Sequence, residues 1–205
     1  MSITRGFKGR GRPSAEHANR VPPGQHLVQD FPVLSAGPTP HAAMSEWAFS
    51  IQHDGRLLAQ WDWEQFKSLP QMEKMTDIHC VTKWSRLNTR WQGVSIDDLL
   101  RAARLDVPPS LFVMAHCDGG YSTNLPIADL LGGKAMVATH YDGEPLSSSH
   151  GGPARLLVPH LYFWKSAKWV RRLQFIQTNQ PGFWESLGYH MYADPWREQR
   201  YEGDP

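Results

Sequence analysis

The sequence predicts an α+β fold, rich in strands, with mixed sheets and short helices. Three observations carry that expectation. Apolar residues alternate with polar or small ones over short stretches bounded by turn residues, as in half-buried strands. Nine Trp, 16 Pro and 17 Gly in 205 residues favour many turns and aromatic plugs over a helical bundle. Helical spacing behind a capping residue occurs only in brief stretches.

The elements follow in chain order. Residues 1–25 are basic, Gly/Pro-rich and poor in apolar side chains, and read as a flexible arm or a peripheral wrap. Residues 26–205 read as one domain. Pro32, Pro38 and Pro40 force the stretch from Phe31 to His41 into extended geometry. Trp47 to Ile51 alternates as a strand, and His53-Asp54-Gly55 suggests a hairpin turn. Asp62 caps a short helix from Trp63 to Leu69, stopped by Pro70. Ser95 and Asp98 have capping-box spacing ahead of a helical face of Leu99, Leu100, Ala103 and Leu105. Leu111 to Ala115 reads as a buried strand, and Ile127 to Leu131 as a short helix ended by Gly132-Gly133. Further strands are expected over Ala135 to Tyr141, Arg155 to Val158 and Trp169 to Ile176. The aromatic C-terminus packs on the core.

Bulk composition excludes several classes. Hydrophobic residues at 40% and charged residues at 20% exclude a wholly disordered chain. Lys+Arg 21 against Asp+Glu 20 gives no global charge for nucleic acid. Two cysteines, Cys80 and Cys117, exclude a disulfide framework and a four-cysteine zinc site. No apolar run reaches a membrane-spanning length, and no apolar stretch follows the basic N-terminus, so no membrane contact and a cytoplasmic location are expected.

Four stretches carry candidate chemistry. In Asp77 to Ser85, Cys80 reads as a nucleophile, a metal ligand or a small buried residue, the last being the common fate of a free cysteine. His79 lies beside it, but neighbours on a strand face opposite ways. In His150-Gly151-Gly152-Pro153-Ala154-Arg155, His150 and Arg155 can converge on an anion if the loop folds back, and a plain turn is the competing reading. Lys165-Ser166-Ala167-Lys168 adds two lysines and a hydroxyl. Together His150, Arg155, Lys165, Ser166 and Lys168 form a candidate phosphate cluster. His116-Cys117-Asp118-Gly119-Gly120 is more a turn than a site. Phosphate-loop, dinucleotide and nucleophile-elbow motifs are lacking.

These stretches occur together and in order. His79 to Ser85, His150 to Pro159, Lys165 to Trp169, and Phe183-Trp184-Glu185 with Gly188-Tyr189 make the chain resemble the molybdopterin-binding catalytic domain of the sulfite oxidase family. The likeness runs from about Phe31 to Tyr201. It is nearest to short bacterial sulfite-oxidase-like oxidoreductases, and more distant from the methionine sulfoxide reductase catalytic subunit. The resemblance implies a sulfite-oxidase-type fold and one molybdenum–molybdopterin cofactor without haem. It implies that Cys80 is the thiolate ligand of the metal, a soft donor suited to it. It implies cofactor contacts from His150, Arg155, Ser166, Ala167 and Lys168, and more loosely from Ser35 and Cys117. Tyr189 takes the place of a tyrosine beside the metal.

The implied activity is transfer of an oxygen atom to or from a small substrate, with electrons exchanged with a separate redox partner. The substrate classes implied are a sulfoxide, an N-oxide or a sulfite-like anion; where the family carries an arginine pair after the cysteine, this chain has Trp84 and Ser85 between Lys83 and Arg86, which disfavours sulfite unless Lys83 or Arg86 substitutes. Two other readings stand beside it. One is a non-catalytic pterin-binding or docking module of the same fold. The other is an enzyme with Cys117 as nucleophile.

Overall fold

A computed structural model describes residue 17, residues 19–40 and residues 43–205. Most of the expected arm (residues 1–16 and 18) and His41 of the proline stretch lie outside the described residues. The described end of the arm is packed down as a wrap. Val21 and Gln25 are buried, and the Arg20 guanidinium pairs with Asp77 at 2.6 Å.

Among the described residues, the strands form two sheets. The first is built on β5 (Trp84–Ser95). One edge of β5 pairs antiparallel with β4 (Met72–His79). The other edge carries β1 (His26–Leu27), parallel, and β8 (Met136–Tyr141), antiparallel. Beyond β8 come β10 (Arg155–Leu157) and the short β9 (Glu144–Pro145). The second sheet runs β3 (Arg56–Asp62), β2 (Ala48–His53), β11 (Val170–Ile176), β6 (Phe112–Cys117), β7 (Ser122–Pro126). Only β2 and β11 pair in parallel there.

Strand alternation divides the interior in two. Val94, Val137 and Leu156 point into a large core with Phe49, Ile51, Val113, Leu173 and Phe175 of the second sheet. Their chain neighbours Met136, Ala138 and Leu157 point the other way. They join Trp91, Trp84, Phe163 and Cys80 in a second, aromatic cluster. The candidate cysteine therefore sits on the far face of the first sheet, away from the main core.

The helical caps behave largely as their residues require. Asp62 caps α1 (Trp63–Ser68) in a full capping box: its carboxylate accepts from Gln65 N at 2.8 Å, and Gln65 Oε1 accepts from Asp62 N at 2.9 Å. Ser95 caps α2 (Ile96–Ala102) by accepting from Asp98 N. The shorter Asp98 side chain bonds the Ser95 hydroxyl instead of reaching back to its backbone, so this box is half made. The short helix expected over Ile127 to Leu131 is a single 3-10 turn, Ile127–Asp129. The β4–β5 hairpin, the longest in the fold, was not expected: its residues (Met-Glu-Lys-Met, Asn-Thr-Arg) are charged and half-exposed, so apolar alternation is weak.

No helix among the described residues is long and apolar enough to cross a membrane. At Gly93, where β5 meets β8, a built Cβ would overlap the Val137 carbonyl oxygen and the Ala138 Cα. Gly93→Ala is expected to destabilise the fold by about 1–3 kcal/mol through overpacking, read as a lower urea midpoint at unchanged slope.

Candidate active site

Cys80 occupies the tight connection between β4 and β5. Its N–H donates to Trp84 O at 2.8 Å, and its carbonyl accepts from Lys83 N at 3.0 Å and from Gln25 Nε2 at 3.1 Å. Lys83 completes the turn in left-handed geometry (φ 74°). Three bonds thus hold the Cys80 main chain, and its Sγ accepts from the Thr82 hydroxyl at 3.2 Å. Burial pushes its pKa up; the bond from Thr82 and the charge of Arg200 act in the opposite sense.

Arg155 opens β10 and is 1% exposed. Two of its nitrogens donate to backbone carbonyls, His150 at 2.8 Å and Ser166 at 2.6 Å. Its guanidinium lies 4.3 Å from the Phe163 ring centroid. Its Nε is buried with no hydrogen-bond partner. Desolvation lowers the guanidinium to about 9. Lys168 is held by Ser149 O at 2.6 Å. Burial, with Arg155 nearby, lowers it to about 8. Among the described residues neither cation has a carboxylate partner. Two desolvated, unpaired cations and an unused N–H make a site for an anion.

The thiol and both cations face one cavity of about 400 Å³. Ser35, His150, Ser166, Ala167 and Tyr189 also line it, so eight of the nine site residues that the resemblance implied come together. Ser35 arrives on the extended, proline-bearing loop, which His150 ties down by bonding Phe31 O at 2.9 Å and stacking on the Phe31 ring. Ser166 turns its hydroxyl inward to accept from Val158 N at 2.8 Å, so it shapes the wall through its backbone. Tyr189 follows the left-handed Gly188 (φ 90°) and packs against Trp164, Trp184 and Tyr201. Burial raises its phenol, so it stays protonated.

Cys117 is the ninth. It lies outside the cavity wall and packs against the main core, while Asp118 and Gly119 take the wall. Burial, then the charge of Asp118, pushes its thiol far up, which works against it as a nucleophile. His116 cannot help it, since its ring bonds Gln174 at 2.9 Å. Lys165 also departs from expectation: its fully buried ammonium pairs with Glu185 at 2.7 Å and donates to Asn124 and Met191, facing away from the cavity. Arg86 lies 5.4 Å from the Tyr141 ring centroid and near Asp142, and neither it nor Lys83 reaches the cavity. His79 is buried against Ser85, and desolvation lowers it to about 4.

Sequence reasoning missed several wall residues. Phe31, Phe163 and Trp164 carried no motif signal, because aromatic residues in irregular segments look alike in sequence. Asp118 was visible in the Asp-Gly-Gly run but read as a turn, which it also is: Asp118–Gly120 is a 3-10 turn with Gly119 at φ 78°.

Residues 36–184, well over half of the chain, match the oxidoreductase molybdopterin binding domain family. The chain belongs to this family. It is 43% identical over 201 residues to the uncharacterized oxidoreductase YuiH of Bacillus subtilis, covering 97% of this chain and all of YuiH. It is 29% identical over 134 residues to the putative protein-methionine-sulfoxide reductase subunit YedZ1 of Azospira oryzae, covering 65% of this chain and 50% of that protein. It is 27% identical over 114 residues to mitochondrial sulfite oxidase of Drosophila melanogaster, covering 52% of this chain and 20% of that protein. The chain thus spans half or less of those two longer relatives. Among solved structures, the sulfane dehydrogenase SoxCD of Paracoccus pantotrophus shares the fold, with a TM-score of 0.59 at 18% identity over 82% of this chain and 56% of that one. The molybdopterin-binding oxidoreductase is therefore an enzyme of the sulfite-oxidase-type fold, with mixed sheets and few helices.

Phosphate binding to the metal-free protein is expected to weaken as pH rises through about 8, where Lys168 loses its proton. Lys168→Met should weaken binding and flatten that dependence, as measured by titration calorimetry between about pH 7 and about pH 9.

Proposed function

We propose that this molybdopterin enzyme transfers an oxygen atom to or from a small uncharged substrate, a sulfoxide or N-oxide, with Cys80 as the protein's ligand to molybdenum. The observation that carries the reading is the meeting of Cys80, Arg155, Lys168 and Tyr189 on one cavity. When bound, the molybdenum–pterin group supplies two-electron redox chemistry coupled to movement of an oxygen atom.

The residues present fit that group. The unused Nε of Arg155 and the unpaired charges of Arg155 and Lys168 call for an anion, which the pterin phosphate supplies. His150 and the backbone at Ser166 and Ala167 shape the same wall. Among the described residues no cluster of three or more His, Cys, Asp or Glu could hold a metal ion. A single thiol is too few donors for a metal, so Cys80 would hold the molybdenum only together with donors that the pterin itself would bring. Thr82 orients the Cys80 sulfur.

Specificity follows from what is missing near the thiol. Val81, Trp84, Trp164, Trp184 and Tyr189 make that end aromatic and apolar. Lys83 and Arg86 point elsewhere, so beyond the two cations assigned to the phosphate an anionic substrate such as sulfite has no counter-charge. The protonated Tyr189 hydroxyl is placed to donate to the oxygen of a neutral substrate. Electrons are exchanged with a separate carrier; several relatives are themselves named as subunits, which supports this.

Cys80→Ser is expected to abolish turnover and molybdenum retention while leaving the fold intact, as checked by metal analysis and circular dichroism. Tyr189→Phe should lower kcat by roughly 100-fold with cofactor content unchanged. In steady-state assays with artificial electron donors and acceptors, sulfoxide and N-oxide turnover should exceed sulfite oxidation. A preference for sulfite would defeat the neutral-substrate assignment.

A further inference from the structure

The last stretch of the chain, residues 185–205, lies past the family match, which ends at residue 184. We infer that Arg200 in this stretch is a positioning residue, clasping the Cys80 loop and the Tyr189 segment in fixed relation across the active site. The inference rests on the roles given above to Cys80 and Tyr189.

One residue reaches both. The Arg200 side chain is almost wholly buried, and its Nη1 donates to Val81 O at 2.7 Å, one residue past Cys80. Its guanidinium lies 4.9 Å from the Tyr162 ring centroid. Its backbone carbonyl accepts from His190 N at 3.1 Å, one residue past Tyr189. Tyr201 then bridges Tyr189, and Glu202 N donates to Gly188 O at 2.9 Å. Val81 and Tyr189 both pack against the buried cluster of Tyr162, Trp164 and Ala193, so the two held segments share a common neighbour.

The clasp is braced from behind. The Asp204 carboxylate accepts from the backbone N–H of Arg200 at 2.8 Å and of Tyr201 at 2.7 Å. The N-terminal wrap closes over it. Gly24, in left-handed geometry (φ 69°), leaves room where a Cβ would stand 2.7 Å from Glu198 Oε1. Gln25 donates from the same wrap to the Cys80 carbonyl. A guanidinium fork can hold Val81 while lying over the Tyr162 ring; a lysine ammonium offers one point of attachment and no plane.

The test uses full-length holoenzyme for kinetics and metal-free protein for thiol reactivity. Arg200→Met is expected to lower kcat by roughly 10- to 100-fold with a smaller change in KM, since misplacement of reacting groups slows chemistry more than binding. In Arg200→Lys, which keeps the positive charge beside the thiol, iodoacetamide should alkylate Cys80 several-fold faster, read by mass spectrometry of its peptide. Arg200→Lys keeps charge and bulk and guards against a variant that fails to fold; it should fold normally and still show both effects. Wild-type kcat and alkylation in folded Arg200→Lys, or losses confined to thermal stability, overturn the inference. Full turnover by Cys80→Ser would sink the reading of Cys80 itself. Normal Arg200 variants beside an inactive Cys80→Ser would sink only the clasp.

Discussion

A guanidinium buried without a carboxylate is the constraint on which the rest of this site depends. Arg155 cannot shed its charge at ordinary pH, and a lone buried charge is costly. The surrounding chain answers with two backbone carbonyls and an aromatic face, which hold the group and do not neutralise it. Those carbonyls belong to His150 and Ser166, so the two loops flanking β10 must fold toward one point. The cavity between them follows from that. Had a carboxylate been supplied, the fold would be more comfortable and the anion site would be closed.

Lys165 and Lys168 show how the same residue type is assigned opposite work three positions apart. Lys165 meets Glu185 and three backbone or amide oxygens, and becomes a buried rivet between β7 and the C-terminal segment. Lys168 meets one carbonyl and keeps its charge for a ligand. The difference lies in Glu185, which is distant in sequence. No local pattern could separate the two lysines, and the expected phosphate cluster therefore included one cation too many.

Much of the fold was legible, and what was not has a physical cause. The capped helix after Asp62 and the strands at β2, β6, β8, β10 and β11 follow from local rules that act within a few residues. The β4–β5 hairpin does not, because its exposed face carries charge and its buried face is filled in part by Thr89 and Ser85. The site was legible where it coincided with motif residues, from Cys80 to Lys168. Its walls at Phe31, Phe163 and Trp164 and its Arg200 contacts were invisible, since they depend on which irregular segments tertiary packing brings together. Cys117 was drawn in by its neighbours Asp118 and Gly119, which do reach the cavity while its own side chain faces the core.

The cavity wall begins at Phe31 and ends at Tyr189. Its parts are scattered along that whole stretch, so no short contiguous fragment contains the pocket. During synthesis the first wall segment waits for almost the entire chain to emerge before it has anything to enclose. A prosthetic group cannot nucleate such a domain. The cavity wall is complete only once both ends of that stretch have folded together.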